Sequence, residues 1–297
     1  MNQLEEMQTF IRIVEAGSIS KAAEQMNTVK SAISRRLSEL EKRLSINLLT
    51  RTTRSQTLTD SGEQFYRQCL RIIDDINEVE SSLGNENTAL SGRIKIAAPL
   101  SFGIAQLCPV LKQFNDLYPD ILFDIDFNDR RVDLVEEGFD LAIRIAHLTD
   151  SSLIARRLTT VKLIHCASPD YLQKHSIPLT PNDLLNGHLK LHYQADQDSW
   201  HFKDEFGKQY SIKLAKSLTI NNGDFACQAA MSGWGIAYLP DFICSAALQD
   251  GTLMPILENY MDNNELGVYA VYPQTRHLSQ RVRRLINFLS DHFKKTV

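Results

Sequence analysis

The chain has 297 residues, 43% of them hydrophobic and 23% charged, and a formal net charge of −4. At roughly 100–200 residues per domain, that length holds two or three domains with a sizeable core. The composition excludes wholesale disorder, and the small acidic balance excludes a protein that is basic throughout and coats nucleic acid.

The opening residues Met1 to Glu6 are acidic and lack an apolar stretch, so no signal peptide is expected. The apolar runs fall well short of the ~18–20 residues of a membrane span. Five cysteines at 69, 108, 166, 227 and 244 are widely spaced, with no CxxC pair. That pattern excludes a disulfide framework or a zinc site and fits a reducing cytoplasm.

The charge is unevenly placed. Between Thr28 and Arg54 stand seven basic residues (Lys30, Arg35, Arg36, Lys42, Arg43, Arg51 and Arg54) against Glu39 and Glu41. This stretch carries +5, which leaves −9 for the rest of the chain. A basic module at one end of an acidic protein points to nucleic acid.

The periodicity there agrees. Leu4, Met7, Phe10, Ile11 and Val14 recur at helical spacing and predict a helix ending near Gly17. Ser18 or Ser20 caps a short helix through Ala22, Ala23 and Met26. Asn27 and Thr28 make a tight turn and a new N-cap. The next helix buries Val29, Ile33, Leu37, Leu40 and Leu44 and shows Lys30, Ser31, Ser34 and Arg35 on its other face. This is a helix-turn-helix, whose second helix reaches base edges from its N-terminal end. Arginine bridges two acceptors on guanine, and serine and lysine reach bases or phosphates. Ile46 to Leu49, then Arg51, Thr52 and Arg54, read as a strand pair and loop, a wing whose arginines face the DNA backbone.

Thr59 caps a long helix running to about Leu83. Phe65, Cys69, Ile72, Ile76, Val79 and Leu83 form a heptad seam along it, suited to pairing with a second helix. The small polar run from Gly84 to Gly92 marks a hinge. Beyond it, strand and helix alternate. Strands are expected at 94–98, 121–127, 141–145, 154–158, 162–167, 189–193, 217–220, 235–239 and 268–272. Helices are expected at 104–118, 132–138, 180–185, 224–231, 242–248 and 279–294. The pattern is that of a parallel-rich α/β domain.

The segments VEAGSISKAAEQM, SAISRRLSELEKRL, LLTRTTR and LTDSG closely resemble the LysR-type transcriptional regulators. The resemblance continues through SGRIKIAAP, DRRVDLVEEGFDLAIRIAHLTDSSLIARRL, CASPDYL, GWGIAYLPDF and YPQTRHLSQRVRRLINFL, and so covers the whole chain. It implies a winged helix-turn-helix domain at 1–58, a dimerising linker helix at 59–84, a hinge at 85–92 and an effector domain at 93–297. The last would be two Rossmann-like α/β subdomains resembling a type II periplasmic-binding-protein fold, one from 93–167 and 269–297, the other from 168–268. The resemblance also implies a DNA operator with two half-sites, a homodimer or a tetramer of paired dimers, and RNA polymerase as a partner if the protein activates. Thr28, Lys30, Ser31, Ser34, Arg35 and Arg36, with Arg51, Thr52 and Arg54 of the wing, are the implied DNA contacts. Lys30-Ser31 departs from the family's usual glutamine-proline, so relatives' operators do not carry over.

Ligands of open α/β sheets sit beyond the carboxyl ends of strands, here between the subdomains. The strand ends supply Ser101 and Phe102, Asn128, Arg144, Ala146 and His147, and Ser168 at the crossover. From the second subdomain come His192, Asn222, Gly223 and Pro240. Ser101 before a helix start suits a carboxylate-bearing or similarly polar effector. No cofactor or metal motif is present: there is no P-loop, GxGxxG, GxSxG or HExxH, so an enzyme is not expected. A cysteine-switched redox regulator, through Cys166 or Cys227, is the alternative.

Overall fold

The computed structural model describes residues 2–51, 56–82, 90–130, 132–146, 153–193, 198–260, 265–274 and 278–295, and at 51, 56, 74, 75 and 77–82 the backbone alone. The chain divides into two compact units. One is Met1–Arg93 with Asp120–Leu122 and Ser279–Arg281; the other is Ile94–Pro119, Phe123–Leu278 and Val282–Val297.

In the first unit α1 (Gln3–Ala16), α2 (Ile19–Gln25) and α3 (Lys30–Leu44) follow in quick succession. Asn2 caps α1 by accepting the Leu4 N–H at 3.1 Å, and Ser18 caps α2 by accepting the Lys21 N–H at 3.2 Å. Phe10, Ile13, Ala22, Ala23, Ile33, Leu37 and Leu40 bury themselves in one core, where the two alanines let α3 come close. The turn into α3 departs from expectation. Val29, not Thr28, is the N-cap, no side chain caps the helix, and Val29 is 66% exposed rather than buried. The Thr28 N–H is spent on the Ala23 carbonyl at 2.9 Å, which finishes α2 and delays the start of α3.

The wing strands are β1 (Leu49–Arg51) and β2 (Gln56–Leu58), antiparallel, with Leu49 opposite Leu58. They start later than the expected Ile46. Glu41 Oε1 accepts the N–H groups of Leu48 and Leu49 at 2.8 and 3.2 Å, holding that stretch against α3 instead. Then α4 (Asp60–Ser82) begins. Thr59 Oγ1 accepts the Gly62 N–H at 2.9 Å and donates to the Asn47 carbonyl at 2.8 Å. Position 62 has no room for a side chain, since a Cβ there would lie 1.9 Å from the Leu48 carbonyl oxygen.

The expected seam on α4 divides. Cys69 is fully buried and Phe65 packs beside it in the core of α1–α3, the Phe65 ring 5.6 Å from that of Phe10. Cys69 fills the chain's own core and is corrected as a dimer contact, while Phe65 packs against that core and stays partly exposed, because the first turns of α4 lie along α1. Ile72 is 40% exposed and Ile76 half-buried. The side chain of Val79, all of Leu83 and most of the expected hinge lie outside the described residues.

The chain enters the second unit along β3 (Gly92–Ala98). Pro99 then starts a helical run in three stretches: α5 (Leu100–Phe102), a π-helical Gly103–Leu107, and α6 (Cys108–Leu117). Next come β4 (Ile121–Phe127), β5 (Leu141–Ala146) and β6 (Leu153–Ala167). The expected helix 132–138 is a single turn, with the Glu137 N–H on the Asp133 carbonyl at 2.9 Å and the Arg130–Glu137 ion pair beside it. The two strands expected at 154–158 and 162–167 are one. Thr159, Thr160 and Val161 do not break the ladder, because the late strand β13 (Glu265–Pro273) pairs with them rung by rung.

After β6 come α7 (Pro169–His175), a 3-10 turn Pro181–Leu185 in place of the expected helix, and β7 (Leu189–Tyr193). A hairpin absent from the sequence reading follows, β8 (Ser199–Lys203) and β9 (Gln209–Lys213). Its turn is built by Asp204 Oδ1, which accepts the N–H groups of Phe206 and Lys208 at 3.0 and 2.8 Å. The chain continues through β10 (Ala215–Ile220), α8 (Gly223–Met231), β11 (Ala237–Pro240), α9 (Asp241–Gln249), β12 (Met254–Pro255), β13 (Glu265–Pro273) and α10 (Gln280–Lys295).

The main sheet runs β11-β6-β13-β5-β3-β4, with β12 also on β6. It is mixed rather than parallel-rich: β3 and β5 are parallel, but β13 is antiparallel to both β5 and β6. Strand β6 pairs with β13 over Leu153–Lys162 and with β11 over Leu163–Cys166, so one long strand has two successive partners. Strands β7 and β10 pair parallel, and β7 also bonds to Ile236 just before β11.

Candidate nucleic-acid interface and effector cleft

On α3, Lys30, Ser31 and Arg35 are exposed and Ser34 is half-buried, so the N-terminal turns present a polar, cationic face. Exposed basic residues at the N-terminal end of the second helix of such a pair are placed to meet the major groove. Arg36 differs. Its Nη2 lies 2.5 Å from Glu5 Oε1, and Arg43 pairs with the buried Glu6 at 2.7 Å. Both tie α1 to α3, so Arg36 is engaged by Glu5 rather than standing free on the helix face. Thr28 is half-buried in the turn. Thr52, Arg54 and the side chain of Arg51 lie outside the described residues.

In the second unit the expected effector residues separate into two sets. Ser101 is buried, and its Oγ donates to Asp224 Oδ2 at 2.7 Å, across 123 positions of sequence. Gly223 lies against it: a Cβ at 223 would come 3.6 Å from Ser101 Oγ. Tyr193, at the end of β7, donates from its hydroxyl to Asp129 Oδ2 at 2.6 Å, just past β4. Two side-chain bridges thus join the ends of β3 and β4 to α8 and β7. Asn128 lies next to one bridge, with its N–H on the Ala98 carbonyl at 3.0 Å and its buried Oδ1 unpartnered. His192 precedes Tyr193; burial holds its imidazole pKa down, and its Nδ1 has no partner. Ala146 ends β5, half-buried.

The other set serves the scaffold. Phe102 stacks in the core, its ring 5.6 Å from Phe242 and 5.8 Å from Phe293, because the helix begins at Leu100 and turns that side chain inward. Ser168 caps α7 by accepting the Tyr171 N–H at 3.3 Å. Asn222 caps α8 by accepting the Phe225 N–H at 2.8 Å, so its carbonyl oxygen is already occupied. Pro240 pairs with Leu163 at the end of β11 and starts α9. Arg144 Nη2 donates to the Val132 carbonyl at 2.8 Å, fixing the turn after β4. His147 lies outside the described residues. Asp224 is the partner that sequence reasoning did not single out as a site residue. The only available signal for Asp224 was an acidic residue in the first turn of a helix, which usually answers the helix dipole.

Fold and site define a winged helix-turn-helix DNA-binding regulator that carries an α/β domain. Comparison with known proteins sharpens this. The family model for the bacterial regulatory helix-turn-helix protein, lysR family, matches residues 4–63, and that for the LysR substrate binding domain matches residues 87–294. A Haemophilus influenzae protein described as an uncharacterized HTH-type transcriptional regulator is 34% identical, over 97% of this chain and all of that one. The HTH-type transcriptional regulator CrgA of Neisseria meningitidis serogroup C is 32% identical over 97% of this chain and 96% of its own. A CrgA structure superposes with a TM-score of 0.62 at 31% identity, over 97% of this chain and 98% of that one. The full-length Vibrio cholerae virulence activator AphB gives a TM-score of 0.61 at 29% identity, with the same coverage. The chain belongs to the LysR family of transcriptional regulators and, like its named relatives, is a regulator rather than an enzyme.

The cysteine-switch alternative is not favoured. Cys166 and Cys244 are fully buried together, and a mutual hydrogen bond and burial raise the Cys166 thiol. Burial pushes Cys227 up to about 11. Protonated, enclosed thiols are poor nucleophiles at neutral pH. Among the described residues no helix is long and apolar enough to cross a membrane.

Proposed function

We propose that this regulator reads a two-half-site DNA operator with the exposed face of α3 and answers a small polar effector held between the two halves of its α/β unit. Lys30, Ser31, Ser34 and Arg35 make the base and phosphate contacts, with the wing arginines on the backbone. The domain limits are those set out from the sequence: 1–58, 59–84, 85–92 and 93–297, with subdomains at 93–167 plus 269–297 and at 168–268. Dimerisation runs through the later turns of α4, where Ile72 is already exposed, and paired dimers make a tetramer. The protein works in the cytoplasm, and RNA polymerase is its partner where it activates.

The effector site centres on Ser101. Its hydroxyl proton already goes to Asp224, so an effector with an acceptor group, such as a carboxylate, competes with Asp224 for it. Such a ligand acts only if it favours one arrangement of the two halves over the other.

The observation that carries the reading is the exposed cationic face of α3 on a chain that is acidic elsewhere. Its test is a gel-shift titration on operator DNA. Arg35→Ala is expected to lose about 1–3 kcal/mol of specific binding. Unchanged affinity would show that α3 is not the recognition helix.

A further inference from the structure

We propose that Glu39 sets the base preference of this protein by holding Arg35 so that its two terminal nitrogens meet a guanine edge end-on. The inference rests on the reading of α3 as the recognition helix.

Helix α3 carries three arginines, and their partners differ in kind. Arg36 and Arg43 pair with Glu5 and Glu6, both on α1, and so pin one helix to the other. Arg35 pairs within its own helix. Its Nε–H donates to Glu39 Oε1 at 2.8 Å, one turn further on, while its side chain stays 81% exposed. Residues four apart on a helix are stacked neighbours, so this contact needs no bend in the backbone. Glu39 is itself largely covered, and its Oε2 is shut off from solvent with no hydrogen-bond partner. The carboxylate is therefore seated against the helix, flanking the polar face rather than projecting from it.

That contact selects a mode of reading. A guanidinium has one donor on Nε and two on each Nη. It can meet a pair of acceptors side-on, through Nε and one Nη, or end-on, through both Nη. With Nε engaged by Glu39, the end-on mode remains. In the major groove guanine presents N7 and O6 as adjacent acceptors, the match for two parallel donors. A free arginine loses rotamer freedom when it binds; one already held has less to lose. The pairing also discriminates. Opposite any other base, the Nη groups are drawn out of water without two acceptors, and the carboxylate stays close to the DNA phosphates with less to offset it. A direct role, Glu39 accepting from a cytosine amino group, is disfavoured because one oxygen is taken and the other enclosed.

The test compares binding preferences of the full-length wild type, Arg35→Ala, Glu39→Ala and Glu39→Gln on a duplex library with a randomised half-site. The wild type is expected to prefer guanine at one position of the half-site. Arg35→Ala should flatten that preference by roughly 5- to 150-fold, the value of a bidentate contact. Glu39→Ala should weaken the same preference by about two- to fivefold, as for an exposed ion pair. Glu39→Gln, which keeps an acceptor for the Nε–H, should fall between. A merely structural Glu39 would lower binding to all sequences alike and leave the profile unchanged, which would overturn the proposal. So would a changed preference at a position that Arg35→Ala does not affect, since that is direct reading by Glu39. A profile unaltered by Arg35→Ala itself would sink the recognition-helix reading instead, so the two failures are distinct. Matching thermal melts of the variants keep misfolding apart from either.

Discussion

His165 gives a quantitative handle on the α/β unit. It lies at the β6–β11 pairing, opposite Tyr238, fully enclosed by aromatic rings. Its ring stacks on Tyr238 at 4.0 Å, with Trp200 at 4.7 Å and Phe202 at 4.8 Å. Neither ring nitrogen has a hydrogen-bond partner, and burial pushes the imidazole pKa down to about 3. The unfolded chain's histidine titrates near ~6.5. Because the folded value is the lower one, the folded form excludes a proton that the unfolded form takes up. The contribution of His165 is therefore intact above pH ~6.5 and is lost as pH falls from there toward 3. At about 1.4 kcal/mol per pH unit, moving from pH 7 to pH 5 removes roughly 2 kcal/mol through this residue alone. His165→Phe keeps an aromatic ring and abolishes the titration. Urea unfolding followed by tryptophan fluorescence, with Trp200 against the ring, reads the difference. The variant should lose about 2 kcal/mol less than the wild type between pH 7 and pH 5, while the other titrating groups cancel in the comparison. Parallel losses in the two proteins would refute the claim that His165 is held neutral by burial.

Two further outcomes are expected. Ser101→Ala removes the donor shared between Asp224 and the proposed effector, so a reporter's half-maximal effector concentration should rise by about five- to tenfold, roughly the 1–1.5 kcal/mol of one hydrogen bond. DNA binding without effector should be unchanged, and an unaltered dose response would place the pocket elsewhere. Ile76→Asp puts an unpartnered charge on the helix face proposed for dimer pairing, which costs several kcal/mol per dimer. Sedimentation should then show monomer, with operator affinity down by tenfold or more; a wild-type oligomer would rule this face out.

The N-terminal module was legible because its information is local. The 4, 3, 4 spacing of Ile33, Leu37, Leu40 and Leu44, the Ser18 cap and Gly17 each act within a turn or two of chain, and the structure carries them as helices and caps. The polar face of α3 was legible for the same reason, since residues on one side of a helix are set by their spacing alone. Local pattern could not say what covers a face. Cys69 looks like Ile72 in the heptad, yet the helical core encloses the first and leaves the second open. Thr159–Val161 reads as a break between strands until β13 lies beside it and supplies the missing hydrogen bonds. For the effector residues, local pattern could not say which side chains are engaged elsewhere. Asn222, Ser168 and Phe102 occupy the expected positions along the chain, but caps and core packing claim their side chains. The partner of Ser101 stands 123 residues away, brought near only when β7, β10 and α8 assemble opposite β3 and α5. Helical periodicity is written in neighbouring residues; a contact between distant strands is written in the topology, and only the folded chain decides it.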